Sequence, residues 1–267
     1  MHGRKKKSDK PVDDREEAED AVKLLHALLQ MKRDGVRGSE ALTLTTRVLK
    51  INPEIATVWN YRREMIIDAP ALIGELKLLE MVLSKTLKSY CVWFHRRWCF
   101  NKLIDLYDEA ELSQLIYGEL KLCEQLFTHD ARNFHCWGYR THVCSFLSEE
   151  ERQVVNLKLG TSLILSDFSN YSAWHLRTRV EIADLDGELE LIRNALFTEP
   201  SDQSVWQYRN WFLSRYGLED KQTVAELLSV EPDCKYALLA QGGNFSKLAE
   251  IDSLRRQYYL EHCQSSD

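Results

Sequence analysis

The sequence predicts an all-α protein, a right-handed crescent or solenoid of stacked antiparallel helix hairpins. Three observations carry that reading. The 267 residues include only 11 Gly and 5 Pro, few turn formers for an all-β chain, while Leu, Glu and Lys are plentiful and favour helices. Trp59, Trp93, Trp137, Trp174 and Trp206 recur at spacings of 34, 44, 37 and 32 residues. Each is followed three positions later by an arginine: Arg62, Arg96, Arg140, Arg177 and Arg209. Self-similarity on this scale marks arrays in which each unit buries its apolar face on the next.

The elements follow in order. Residues 1–12 form a basic tail, expected to be flexible. From Asp13 the stretch "DDREEAEDAVKLLHALLQMKRDG" reads as an amphipathic helix with acids in its first turn, Lys32 and Arg33 in its last, and Gly35 to terminate it. Residues 13–262 are read as a single repeat domain of helical hairpins.

In each of five units two leucine columns occur at fixed offsets before the Trp, in "EALTL", "GELKL", "GELKL", "VNLKL" and "GELEL". A third apolar column, ten before the Trp, holds Leu49, Leu83, Phe127, Ile164 and Leu196. The breaks "INPEIAT", "SDFSNYS" and "TEPSDQS" carry helix-stop and N-cap residues. A sixth, degenerate unit keeps Leu228 and Pro232 but has Leu238 in the Trp column and no arginine, as befits a terminal repeat.

Bulk properties exclude several functions. The net charge of −6 argues against nucleic acid as a partner. No apolar run is long enough for a membrane span. The tail lacks the apolar core of a signal peptide. Seven cysteines, with no C-x-x-C, read as free thiols in a reducing, cytoplasmic setting.

The recurring Trp reads as a core wedge between neighbouring hairpins. The Arg lies on the same helical side and needs acids or free helix carbonyls as partners. An internal strut and a polar row facing a partner are both open for this column, and a mixture is expected. Tyr61, His95, Tyr139, Leu176 and Tyr208 stand two after the Trp. Ala56, Tyr90, Phe134, Tyr171 and Gln203 stand three before it, suited to an interface or to hairpin packing.

"NFHCWGYR", from Asn133, resembles a metal cluster when read alone. Aligned with its siblings, Cys136 is a small packing residue in the column of Val58, Val92, Ala173 and Val205. His135 and His142 are two turns apart, a poor ligand spacing. No phosphate-binding Gly loop, H-E-x-x-H or G-x-S-x-G occurs, so this chain is expected to bind no cofactor alone.

The W-x-x-R unit with these lead-ins resembles the repeat of protein prenyltransferase α subunits, over almost the whole chain. "MHGR", "NPEIATVWNYRRE", "KSYCVWFHRRW", "RNFHCWGYR", "FSNYSAWHLR" and "DQSVWQYRNW" resemble most the type II branch, the α subunits of Rab geranylgeranyltransferase. The resemblance implies an obligate heterodimer with a β subunit that holds the catalytic zinc. It implies transfer of geranylgeranyl from its diphosphate to C-terminal cysteines of Rab GTPases presented by a Rab escort protein. It also implies diphosphate-side contacts from Arg132, at the position where related enzymes have Lys, and from Lys88, with Tyr90 and Phe134 on the same rim. His2 is implied as an inhibitory contact to the β-subunit zinc. Mammalian members carry an inserted β-sandwich and a leucine-rich repeat domain; neither has a counterpart here, which predicts the bare helical form. Two alternatives remain: the α subunit of a farnesyl/type I enzyme acting on CaaX proteins, and a tetratricopeptide-like adaptor. The adaptor repeat has a fixed 34-residue period with L-G after its Trp, unlike these units.

Overall fold

A computed structural model describes residues 13–264, and all their regular structure is helical. α1 (Asp13–Arg33) packs on α2. Six hairpins follow among the described residues: α2 (Ser39–Ile51) with α3 (Ala56–Arg63), α4 (Ala69–Leu83) with α5 (Tyr90–Ile104), α6 (Glu109–His129) with α7 (Phe134–Cys144), α8 (Glu149–Ser166) with α9 (Tyr171–Arg177), α10 (Leu185–Thr198) with α11 (Gln203–Tyr216), and α12 (Lys221–Val230) with α13 (Lys235–Ala240). α14 (Phe245–Ile251), a 3-10 turn (Ser253–Arg255) and α15 (Arg256–Gln264) complete the described residues. The chain divides into two compact units, one up to Phe146 and one from Leu147. In the first, α5 packs on α3 and α7; in the second, α9 packs on α11 and α10 on α12.

The helix boundaries follow from local chemistry. α1 ends as expected at Gly35, whose φ of 73° no β-carbon residue adopts cheaply. Gly35 N–H donates to Lys32 O and Val36 N–H to Met31 O, the paired bonds of a Schellman stop. Asp108 and Ser148 open α6 and α8 with capping boxes closed by Glu111 and Glu151. Ser89, Asn133, Asn170 and Asp202 cap α5, α7, α9 and α11, so the column four before each of those tryptophans is an N-cap.

Each indole is fixed in the same way. Nε1 of Trp59, Trp93, Trp137, Trp174 and Trp206 donates to the carbonyls of Pro53, Leu87, Ala131, Phe168 and Pro200, at 2.7–2.9 Å. The acceptor lies six residues back and belongs to the backbone, so that column tolerates Pro, Leu, Ala or Phe. Four of the indoles are buried and Trp137 is half-buried. The small column is fully packed, with Val58, Val92, Cys136, Ala173 and Val205 all at 1% exposure or less. One methylene more at any of these would overfill the wedge.

The arginine column corrects the mixed expectation: all five guanidinium residues are buried. None of the five faces outward, and Arg62, Arg96, Arg177 and Arg209 are struts between hairpins. Arg62 grips Glu75 through Nε and Nη2 at 2.7 and 2.5 Å. Arg96 grips Glu119 at 2.7 Å twice, and Arg177 grips Glu188 in the same bidentate way. Arg209 meets Asp220 at 2.9 Å through Nε. In each of these four pairs the carboxylate belongs to the next unit and stands 18 positions before that unit's Trp-column residue. In the first three of those units the unit's own ring completes a triad. His95 Nε2 meets Glu75 at 2.9 Å, and the hydroxyls of Tyr139 and Tyr208 donate to Glu119 and Glu188 at 2.7 and 2.6 Å. The fourth unit changes both positions together. Asn156 replaces the acid and Leu176 replaces the ring, so a carboxylate and its donor leave as a pair.

These triads shift their own titrations. Burial alone raises the Glu75 carboxyl, but hydrogen bonds and charge from Arg62 and His95 outweigh it, leaving it below its usual 4.5. Burial pushes His95 below 6.5, against the pull of Glu75. Arg63 Nε donates to His95 Nδ1 at 3.1 Å, which places the imidazole proton on Nε2, toward Glu75. Burial and the Glu119 charge push the Tyr139 phenol far up, so it stays a donor.

Candidate functional site

The rim implied by Arg132, Lys88, Tyr90 and Phe134 is assembled within the first compact unit. Lys88 and Arg132 sit in the turns before α5 and α7. Tyr90 and Phe134 are the first residues of those helices, where a side chain projects off the helix start. They are 66% and 61% exposed, so this column faces outward and does not pack the hairpins. Their ring centroids are 5.9 Å apart in an edge-to-face arrangement. The His135 ring lies 4.2 Å from Tyr90 and 3.9 Å from Phe134, and its buried Nε2 has no hydrogen-bond partner. Burial holds His135 below its usual value, so this ring is neutral near pH 7.

Two residues bind the turns together. Asn133 uses Oδ1 to cap α7, accepting from the amides of His135 and Cys136, while its Nδ2 donates to Leu87 O at 2.8 Å. Leu87 directly precedes Lys88, so one side chain ties the Lys88 turn to the Arg132 turn. Asp130 accepts the Arg132 backbone amide on Oδ1 at 3.1 Å and the Lys88 ammonium on Oδ2 at 3.0 Å. The cationic edge thus has its own counter-charge in the free chain. In the sequence Asn133 stands with Arg132 and Phe134 at the leading edge that sets "NFHCWGYR" apart from its siblings, whereas Asp130 does not stand out. The N-cap column announces Asn133, and nothing in the one-dimensional pattern announces the Asp130 contact.

The other candidates are placed as follows. His2 lies outside the described residues. His142 is engaged by Arg97 at 3.1 Å and Asn101 at 2.7 Å, and no group of three metal-ligating side chains occurs among the described residues. Trp59, Arg62, Trp93, Arg96, Trp137, Arg140, Trp174, Arg177, Trp206 and Arg209 belong to the scaffold described above. The seven cysteines are thiols, none of them in a disulfide, and burial raises the Cys99 thiol. No described helix is long and apolar enough to cross a membrane.

A family profile described as "Protein prenyltransferase alpha subunit repeat" matches residues 39–66, 72–103, 116–147 and 185–216, the first, second, third and fifth hairpins. A "Geranylgeranyl transferase type-2 subunit alpha" from Dictyostelium discoideum is 31% identical, across 87% of this chain and 84% of its own length. The chain belongs to the protein prenyltransferase α-subunit family. A member of the same name from Saccharomyces cerevisiae is also 31% identical, with 80% and 72% covered. The rat protein of that name is 35% identical over 80% of this chain but 42% of its own length, so the chain spans less than half of the mammalian relatives it matches. "Candida albicans protein geranylgeranyltransferase-I complexed with GGPP" shares the α-subunit fold, with a TM-score of 0.69 at 20% identity over 90% of this chain and 88% of that one.

Within this α-subunit family fold, the residues that the sequence pattern left without a role are Glu75, Glu119, Glu188 and Asp220. Three of them stand inside the repeated "GEL" strings that carry the leucine columns. The signal was the recurring acid itself: buried arginines require anions, and this column supplies four of them at a fixed distance from the Trp column.

Proposed function

We propose that this chain is the α subunit of a type II protein geranylgeranyltransferase, a heterodimer whose β subunit carries the catalytic zinc. The reading is carried by relatives named as type-2 α subunits that match over most of their own length. Residues 13–262 act as one repeat domain in that assembly, in the cytoplasm. The substrate is the C-terminal cysteine region of Rab GTPases, presented by an escort protein, and the lipid donor is geranylgeranyl diphosphate.

Zinc in the partner would lower the pKa of the substrate thiol and hold it as thiolate. The part of this chain is to meet negative charge as the diphosphate departs. Lys88 supplies a compact, mobile ammonium; Arg132 supplies a planar, permanent cation. Asp130 holds the Lys88 ammonium until phosphate oxygens compete for it. Tyr90 and Phe134 cover the adjoining apolar surface and exclude water, which strengthens the ion contacts. His2 would reach the partner's zinc as an inhibitory ligand.

The test is co-expression with type II, type I and farnesyl β subunits followed by size-exclusion chromatography. A stable one-to-one complex with the type II β subunit is expected. A complex formed only with the other β subunits would reassign the chain to CaaX substrates, and the absence of any complex would return it to the adaptor class.

A further inference from the structure

Three columns of the repeat meet at each triad: the arginine of one unit, the carboxylate of the next, and the ring 20 residues after that carboxylate. His95, Tyr139 and Tyr208 fill the third place and are buried. In the sixth unit the columns fall on Arg209, Asp220 and Ala240. The ring is gone, and Arg209, Asp220 and Ala240 together line a partly open cavity of about 450 Å³, with Leu213, Leu218 and Val224 among its apolar walls.

The polar floor of this cavity keeps the arginine and the carboxylate of the complete triads, with an aspartate at the N-cap of α12 in place of the helical glutamate. The Arg209 side chain is 6% exposed and holds Asp220 Oδ2 at 2.9 Å. Its Nη2 donates to the Asp220 carbonyl at 2.7 Å. Asp220 Oδ1 accepts the Thr223 amide at 3.3 Å. A carboxylate accepts about four hydrogen bonds, so room remains for the hydroxyl that Glu119 and Glu188 receive from their tyrosines. Truncating a ring to a methyl group in a frame that does not collapse leaves a site for the missing ring.

We infer that the Arg209–Asp220–Ala240 cavity is a socket for a phenol, occupied by a tyrosine side chain from another polypeptide segment. The hydroxyl donates to Asp220 and the ring lies against Val224 and Leu213, reproducing the Tyr208–Glu188 contact one unit on. The inference rests on the repeat geometry and is independent of the transferase reading.

The test uses the full chain and amide-resolved NMR titrations with p-cresol, toluene, N-acetyl-tyrosinamide and N-acetyl-phenylalaninamide. p-Cresol is expected to shift the amides of Val224, Ala225 and Ala240 saturably. Toluene, lacking the donor, should bind about fivefold more weakly. The tyrosine amide should bind within about threefold of p-cresol and ahead of the phenylalanine amide, on the same single-bond scale. Ala240→Tyr should abolish p-cresol binding and raise the unfolding midpoint. Ala240→Leu, which copies Leu176 of the fourth unit, should abolish binding as well and covers the case in which the tyrosine variant folds poorly. Equal binding of toluene and p-cresol overturns hydroxyl recognition. Persistence of p-cresol binding in both variants, or no saturable shift in the native chain, overturns the site. Binding of p-cresol without the tyrosine amide overturns the polypeptide source.

Discussion

Arg96 and Glu119 stand 23 positions apart and meet through two parallel hydrogen bonds of 2.7 Å, both side chains nearly sealed from water. The pair crosses from the second hairpin to the third, and Tyr139 adds a donor from the third. Dispersion and apolar area would hold two hairpins together in several registers. A bidentate pair has one, because any slip strands two buried charges. Within each compact unit the hairpins are therefore held by their indoles and registered by their ion pairs.

The first prediction follows from that division of labour. Glu119→Ala leaves Arg96 buried without its anion and should cost about 3–5 kcal/mol in denaturant unfolding. The triple change Arg96→Met, Glu119→Leu and Tyr139→Phe should recover most of this loss, since neither a charge nor the Tyr139 hydroxyl is then left stranded. An equal loss in the triple variant would mean that the network itself, not its breakage, supplies the stability.

A second prediction concerns pH. Burial holds native His95 below 6.5, so between that native value and 6.5 the unfolded chain binds more protons than the folded one. Stability therefore falls as pH drops through this window. Glu75 is held below 4.5, so its contribution is present above 4.5 and is lost as pH falls through its lower native value. Arg62, Arg63 and Glu75 are the charged groups that bear on the imidazole. His95→Tyr, which copies the ring found against Glu119 and Glu188, should flatten the slope just below pH 6.5 while keeping the acid limb. An unchanged slope in the variant would assign the window to other histidines.

Third, the thiols should sort by burial. Cys91 and Cys263 are half-buried, while Cys99, Cys123, Cys136, Cys144 and Cys234 are buried. Burial raises the Cys91 thiol, whose Sγ–H donates to Glu54 O at 3.4 Å. Against a disulfide reagent at pH 8, Cys263 should react first, Cys91 more slowly, and the other five only on unfolding. Fast native labelling of Cys99 or Cys123 by peptide mapping would contradict the packing around those two residues.

Fourth, the two turns at the rim should respond separately from the scaffold. Lys88→Ala and Arg132→Ala should each slow prenyl transfer by about tenfold, one charge-assisted contact of roughly 1.4 kcal/mol, with the heterodimer intact by size exclusion. Asn133→Ala should cost about 1 kcal/mol of stability as a lost N-cap and should also slow transfer, because it frees the Lys88 turn from the Arg132 turn. Unchanged rates in both cation variants would remove the diphosphate role from this edge.

Much of the fold was legible because a repeat writes the same constraint several times. Trp and Arg recur at a fixed separation inside one helix, and that survives insertions between units. The ion pairs were hidden because they join different units: Arg62 to Glu75 spans 13 residues, Arg96 to Glu119 spans 23 and Arg177 to Glu188 spans 11. Loop length varies, so no constant offset from the arginine exists. Counting back from each Trp restores a constant, since that offset runs through one hairpin. The site was less legible for a different reason. Lys88, Tyr90, Arg132 and Phe134 were reached through family resemblance and Asn133 through the distinctive edge it shares with Arg132 and Phe134, whereas Asp130 and the tie from Asn133 to Leu87 are contacts between turns far apart in the chain, 46 residues in the case of Asn133 and Leu87.

The central claim is catalytic partnership, and the most direct measurement is single-turnover transfer of labelled geranylgeranyl by the complex of this chain with a type II β subunit. Two acceptors are compared, a Rab GTPase bound to its escort protein and a CaaX peptide. The account predicts incorporation into the Rab acceptor that depends on this chain and falls with Lys88→Ala and Arg132→Ala. Transfer to the CaaX peptide alone, or transfer by the β subunit at the same rate without this chain, would contradict it.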